Sequence, residues 1–301
     1  VIVPVNGVPP TGWSQIVSAA NNACAISNVG DVYCIGTAGN GELGQGNTTT
    51  YSQLMKVTFP GGAGRITKLY TNSGFNTQVT SVASYYAIDE YGKVYAWGAN
   101  AQGQLGDGTQ TDRYTPTLIS TGALLGKVVT KISVSDNADS SAVGSASTGQ
   151  GHREGASVAA IDSTGQLYTW GANSNGQLAQ GATYSSFLAP TVVTGFNNVT
   201  DIAMRGGTDF CGNGNCGGFS HVWLTVVTSL NGGTVYTAGD GSSGQLGNGQ
   251  GGNQANYTVS SFRQPTLTVP TGMASTTVAK IMAAGEPSIY NGNTGEGCYY
   301  N

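Results

Sequence analysis

The sequence predicts an all-β protein, a β-propeller of four-stranded antiparallel blades. Three observations predict it. One phrase returns four times along the 301 residues: VYCIGTAGNGELGQG from Val32, VYAWGANAQGQLGDG from Val94, LYTWGANSNGQLAQG from Leu167 and VYTAGDGSSGQLGNG from Val235. The glycines that close its opening strand, Gly36, Gly98, Gly171 and Gly239, fall 62, 73 and 68 residues apart. The segments between them are short alternating runs punctuated by Gly, Asn and Asp, the pattern of half-buried strands and turns. A period this long fits one four-stranded sheet with its loops per repeat. Such sheets arranged radially leave only short, protected edges.

Taken in order, Val1 to Val5 reads as a lone strand of the kind that ends a later repeat. Four full repeats follow. The first blade covers about residues 13–58, with strands at Trp13 to Ala20, Cys24 to Ile26, Val32 to Ile35 and Tyr51 to Val57. The second covers about 65–120, with its hairpin turned at Asp89-Glu90-Tyr91-Gly92. The third covers about 127–194 and turns at Asp162-Ser163-Thr164-Gly165. The fourth covers about 199–270 and turns at Asn231-Gly232-Gly233. Residues 278–301 are partial blade material, because Val278 to Ala284 repeats the opening strand and the next closing glycine is due beyond Asn301. This predicts a single propeller domain within a longer chain of six or seven blades. A five-bladed ring completed by Val1 to Val5 is the other reading.

The phrase Tyr95-Ala96-Trp97-Gly98, with Asn100 and Gly103-Gln104-Leu105-Gly106-Asp107-Gly108, resembles the repeat of the regulator of chromosome condensation family. Thr115-Pro116-Thr117, Ala189-Pro190-Thr191 and Gln264-Pro265-Thr266 resemble the same repeat, in which a proline precedes the last strand. The resemblance covers nearly the whole chain and implies the propeller fold. It does not fix an activity. The family includes a guanine-nucleotide exchange factor, chromatin binders and a secreted bacterial β-lactamase inhibitor. It also implies a structural role for His221.

Composition narrows the partners. Charged residues make up 9% of the chain, against a usual quarter, and the formal net charge is −4 from 11 Lys plus Arg and 15 Asp plus Glu. No basic cluster exists to neutralise phosphates, so nucleic acid is not expected as a partner. No apolar run reaches the length of a membrane span, so membrane insertion is not expected. With Thr, Ser and Asn supplying polarity, the composition predicts an extracellular, cell-surface or virion protein.

The five cysteines point the same way. If Asn28-Val29-Gly30 turns a hairpin, Ser27 faces Asp31 and Cys24 falls opposite Cys34, within disulfide reach. Cys211 and Cys216 bracket the flexible Gly-Asn-Gly-Asn and form a second expected disulfide. Cys298 is left over. No cofactor and no metal site are predicted, since zinc needs four close ligands and the two histidines lie far from most cysteines.

Loop length carries the functional signal. In blades two, three and four, and again in the fifth partial blade, the connection between first and second strands is long: Thr71 to Val82, Ser135 to Ala156, Gly206 to Ser220 and Gly285 to Gly297. Equivalent loops emerge on one face of a propeller, and insertions on one face mark a binding side. The candidate contact residues are Phe75, Asn76, Asp136, Asn137, Asp139, His152, Arg153, Glu154, Asp209, Phe210, Asn213 and Asn215. Asp136, Asn137 and Asp139 are oxygen donors, but no calcium-loop spacing accompanies them, and a solvated turn is the simpler reading. His152, Arg153 and Glu154 have no nucleophile beside them in sequence, so no enzyme is predicted. Trp97 and Trp170 read as packing residues. The expected function is a non-enzymatic extracellular or virion-surface binding or structural module, with a protein or glycan partner or a neighbouring subunit. The alternatives are a secreted inhibitor of an enzyme and an exchange factor for a small GTPase.

Overall fold

The computed structural model describes residues 12–19, 21–72, 83–135, 138–139, 153–154, 156–173, 176–181, 186–205, 224–229, 234–240, 246 and 258–263. They are all-β, with four four-stranded antiparallel sheets and, among the described residues, a single short 3-10 turn at Gly122–Leu124.

Blade one is β1 (Trp13–Ser18), β2 (Asn22–Ser27), β3 (Val32–Gly36) and β4 (Tyr51–Lys56), paired in chain order. Blade two is β5 (Ile66–Thr71), β6 (Ser84–Asp89), β7 (Val94–Gly98) and β8 (Arg113–Leu118), paired the same way. Blade three begins with β9 (Val129–Val134). A two-stranded ribbon of β10 (Ala138–Asp139) and β11 (Arg153–Glu154) follows, and β12 (Ser157–Asp162), β13 (Leu167–Gly171) and β14 (Phe187–Val192) complete the blade. Blade four is β15 (Val199–Arg205), β16 (Leu224–Ser229), β17 (Val235–Asp240) and β18 (Thr258–Arg263).

The hairpin register follows from the turns. Ser27 pairs through Asp31 with a 2.8 Å backbone bond, which sets Ala25 against Tyr33 and Cys24 against Cys34. The sulfurs of Cys24 and Cys34 are joined, with Cα atoms 4.1 Å apart. Cys211 and Cys216 lie outside the described residues. In blades two and three an aspartate runs the turn instead. Asp162 Oδ1 accepts from the amides of Thr164 and Gln166 and from the Thr164 hydroxyl, while Oδ2 accepts from Tyr168. The closing glycine of the phrase has φ 99° at Gly98, and a Cβ there would lie 2.4 Å from the Ala83 carbonyl oxygen. Only glycine satisfies both demands.

Successive blades bury their apolar faces against one another. Leu69, Tyr85, Ala87, Tyr95 and Trp97 of blade two pack with Cys24, Ile26, Val32 and Cys34 of blade one. The opposite face of blade two, with Tyr86, Ile88 and Ala96, packs on blade three. Each outermost strand carries the ring's rim; in β8 and β14 its middle residue is a buried proline, Pro116 or Pro190, beside a register irregularity.

Candidate binding face

The first strands of the blades stand side by side around the axis, and side chains join them across the blade junctions. Gln15 of β1 uses both ends of its amide on one residue of β5: its Nε2 donates to the Leu69 carbonyl at 2.7 Å and its Oε1 accepts the Leu69 amide at 2.9 Å. At the same register position Lys68 of β5 donates to the Thr130 carbonyl, and Lys131 of β9 pairs with Asp201 of β15. Ser133 Oγ accepts the Met204 amide at 2.8 Å. Burial pushes the Tyr70 hydroxyl up from its ordinary value, against a backbone hydrogen bond with Ile132 that pulls it down.

These strands enclose an open cavity of about 410 Å³. Gln15, Val17 and Ser18 line it from β1, Leu69, Tyr70 and Thr71 from β5, and Ile132, Ser133 and Val134 from β9. All but Gln15 come from the second halves of their strands, so the cavity opens at the end where the chain leaves for the long connections. At that end Asn72 Oδ1 accepts the Ser84 amide at 2.6 Å, and Ser135 Oγ accepts the Ser157 amide at 2.8 Å in the same role one blade on. The side-chain nitrogens of Asn72 and Gln104 are buried there without a hydrogen-bond acceptor.

Of the candidate contact residues, Asp139, Arg153 and Glu154 belong to the described backbone. Asp139 stands opposite Arg153 and Ala138 opposite Glu154 in the β10–β11 ribbon. The ribbon lies within the blade-three connection between β9 and β12 and is a two-stranded sheet of its own. Phe75, Asn76, Asp136, Asn137, His152, Asp209, Phe210, Asn213 and Asn215 lie outside the described residues. Among the described residues no group of His, Cys, Asp and Glu is arranged to hold a metal, and no helix is long and apolar enough to cross a membrane. Reading the sequence missed Gln15 and Asp201. Superposing the first strands, WSQIV on ITKLY, VTKIS and VTDIA, would have put both at one position.

The model of the regulator of chromosome condensation (RCC1) repeat matches residues 91–138 and 164–212. The chain is an RCC1-type repeat β-propeller. It is 32% identical over 169 residues to the human E3 ubiquitin-protein ligase HERC2, covering 55% of this chain and 3% of that protein. It is 26% identical over 241 residues to the human probable E3 ubiquitin-protein ligase HERC4, covering 80% of this chain and 18% of that one. The RCC1-type chain thus spans a small part of these curated relatives. Among solved structures, human WBSCR16 superposes with a TM-score of 0.57 at 16% identity, over 85% of this chain and 54% of that one. Yeast RCC1 (Prp20), in its complex with Kap60, gives 0.54 at 13% identity, over 84% and 49%.

These relatives overturn the expected compartment and role. The HERC and RCC1 proteins act inside the cell, so neither the extracellular address nor the extracellular or virion-surface module stands. Composition misled because the repeat itself consumes the polar residues. Asn100 alone donates to Asp107, Thr109 and Thr111 and accepts the Leu105 amide. Asn and Thr hold turns together here and do not report a solvent compartment. The cystine between β2 and β3 likewise loses its force as a mark of address.

Proposed function

We propose that this RCC1-type propeller is an exchange-factor-like protein-binding module, whose partner is a small GTPase held on the face where the long connections emerge. It acts by binding and carries out no covalent step itself. The observation that carries this reading is the RCC1 repeat, matched twice along the chain and shared in fold with yeast RCC1, a propeller that its own structure shows bound to a protein. The cavity mouth and the β10–β11 ribbon within the blade-three connection support this reading, because a two-stranded ribbon offers a partner protein backbone edges to pair with.

The test is nucleotide release. The chain is titrated into small GTPases loaded with a fluorescent guanine nucleotide, and release is followed with excess unlabelled nucleotide. Release from at least one GTPase accelerates with chain concentration, and Asp139→Ala with Arg153→Ala together blunt the effect. A chain that binds none of a broad GTPase panel overturns the proposal. The HERC similarity favours a second reading, a module that selects protein partners for a larger ubiquitin ligase. That reading gains if the chain captures proteins through the same face without altering nucleotide release.

A further inference from the structure

Blades two and three clamp their central hairpins with a buried aspartate. Asp89 accepts the amides of Gly64, Tyr91 and Lys93 and the Tyr95 hydroxyl, and Asp162 holds its own turn and Tyr168 in the same way. Blade one has Ser27 at that place in the turn. Its hydroxyl accepts one amide, that of Asp31, at 3.0 Å. Tyr33, the counterpart of Tyr95 and Tyr168, sets its ring edge-on to Trp13. The first strand of blade one is also less covered, with Ile16 68% exposed where Leu69 is 0%. In place of the aspartate clamp this hairpin has the Cys24–Cys34 bond, directly across β2 and β3. In the same row Val17 of β1 stands opposite Cys24, and Met55 of β4 opposite Cys34. Val17 lines the cavity, so the bond lies one strand behind the cavity wall.

We propose that the Cys24–Cys34 pair is a redox latch on blade one. As a cystine it holds the hairpin and, through it, the β1 wall of the cavity. As two thiols it lets blade one open before the rest of the propeller. A clamp of hydrogen bonds is always present, whereas a crosslink in its place can be made and removed by chemistry. The relatives work where thiols are kept reduced, and a cystine in such a compartment is usually a redox responder and not a permanent brace. Closing the latch takes an oxidant, a low-molecular-weight disulfide such as oxidised glutathione. One cysteine thiolate attacks a sulfur of that disulfide and expels one small thiol. The second thiolate attacks the protein sulfur of the mixed disulfide and expels the other. Two cysteine thiols lose two electrons and two protons, and one small disulfide becomes two thiols. Reduction is the reverse. Cys24 and Cys34 are 1% and 0% exposed, so exchange proceeds while blade one is open.

The test compares the oxidised and reduced whole chain carrying Cys211→Ser, Cys216→Ser and Cys298→Ser, so that one pair responds. Reduced protein is made by refolding in dithiothreitol, and alkylation with intact mass confirms each state. Amide hydrogen exchange is followed strand by strand. In the reduced chain the amides of β2 and β3 exchange about a hundred-fold faster, the scale of one short-loop crosslink. Those of β6, β7, β12 and β13 keep their rates. Oxidised glutathione restores the protection of β2 and β3. Ser27→Asp, which supplies the clamp of the other blades, shrinks the gap between the two states. Equal protection of β2 and β3 in both states, an acceleration shared by all three blades, or a gap that Ser27→Asp leaves unchanged overturns the proposal. In the nucleotide-release assay the reduced chain acts more weakly, an effect that rests on the function proposed above. A chain inactive in both states counts against that function, while amide exchange still decides the latch.

Discussion

Replacing Trp97 or Trp170 by phenylalanine should cost different amounts, although the two indoles look alike. Both are 0% exposed, and each donates Nε1–H at 2.8 Å to a main-chain carbonyl of the preceding blade. The acceptors differ. Trp97 is the hydrogen-bond donor to the Glu42 carbonyl, whereas the Gln104 carbonyl also receives the Tyr86 hydroxyl at 2.8 Å. Trp97→Phe therefore strands a buried acceptor, at about 1–3 kcal/mol, while Trp170→Phe loses one of two bonds, at about 0.5–1.5 kcal/mol. The lost indole volume is the same in both and cancels in the difference. The expected gap is about 1 kcal/mol, with Trp97→Phe the less stable. Urea unfolding at 25 °C, followed by far- and near-ultraviolet circular dichroism, measures it, provided the two probes coincide in a repeat protein. Tyr86→Phe adds the decisive arm. Alone it leaves Trp170 on the carbonyl, but with Trp170→Phe it strands the acceptor, so the double variant loses about 1 kcal/mol more than the sum. Equal losses for the two tryptophans, or strict additivity with Tyr86→Phe, refute the reasoning.

Three further outcomes follow from comparing blades. Leu69 and Ile16 hold equivalent first-strand positions yet are 0% and 68% exposed, so Leu69→Ala should cost about 2.7–5 kcal/mol and Ile16→Ala under about 0.5 kcal/mol in the same urea assay. Ala179 has φ 55° where Gly44 and Gly106 have 68° and 70°, so Ala179→Gly should raise the unfolding midpoint by the equivalent of about 1 kcal/mol. Cys24 and Cys34 are 1% and 0% exposed, so a mild reductant should leave the pair unalkylated in native protein and open it on unfolding, as intact mass will show. Losing the crosslink should cost about 3 kcal/mol for its separation of 10 residues.

The blades were legible in the sequence because glycine has few substitutes at positive φ. Gly36, Gly98 and Gly171 end the third strands of their blades and Gly239 stands one residue before the end of the fourth, with φ between 91° and 118°. The Cys24–Cys34 register could be counted from the turn for the same reason: antiparallel pairing is arithmetic once one pair is known. What joins the blades was not legible. The acceptors of Trp97 and Trp170 are carbonyls, which every residue has, so no residue type announces them. Gln15 reads as a polar residue in a strand until Leu69 is placed beside it. The candidate face rests on a pattern of connection lengths in the sequence, and of those connections the structure describes the short β10–β11 ribbon. The compartment was misread because turn chemistry and surface chemistry draw on the same residues.

The prolines of the outer strands bear on how these molecules behave at high concentration. A rim strand offers unpaired N–H and C=O groups to any other strand it meets, and lateral strand pairing is how many β proteins begin to form fibrils. Pro116 in β8 and Pro190 in β14 each delete a donor from the middle of that row, beside a bulge that bends it. In β4 the corresponding middle residue is Leu54, and no proline interrupts the row. Of these three rim strands β4 is therefore the least protected. If crowding or partial unfolding brings two copies edge to edge at these blades, the first rung between them should form along Tyr51–Lys56 and not along β8 or β14.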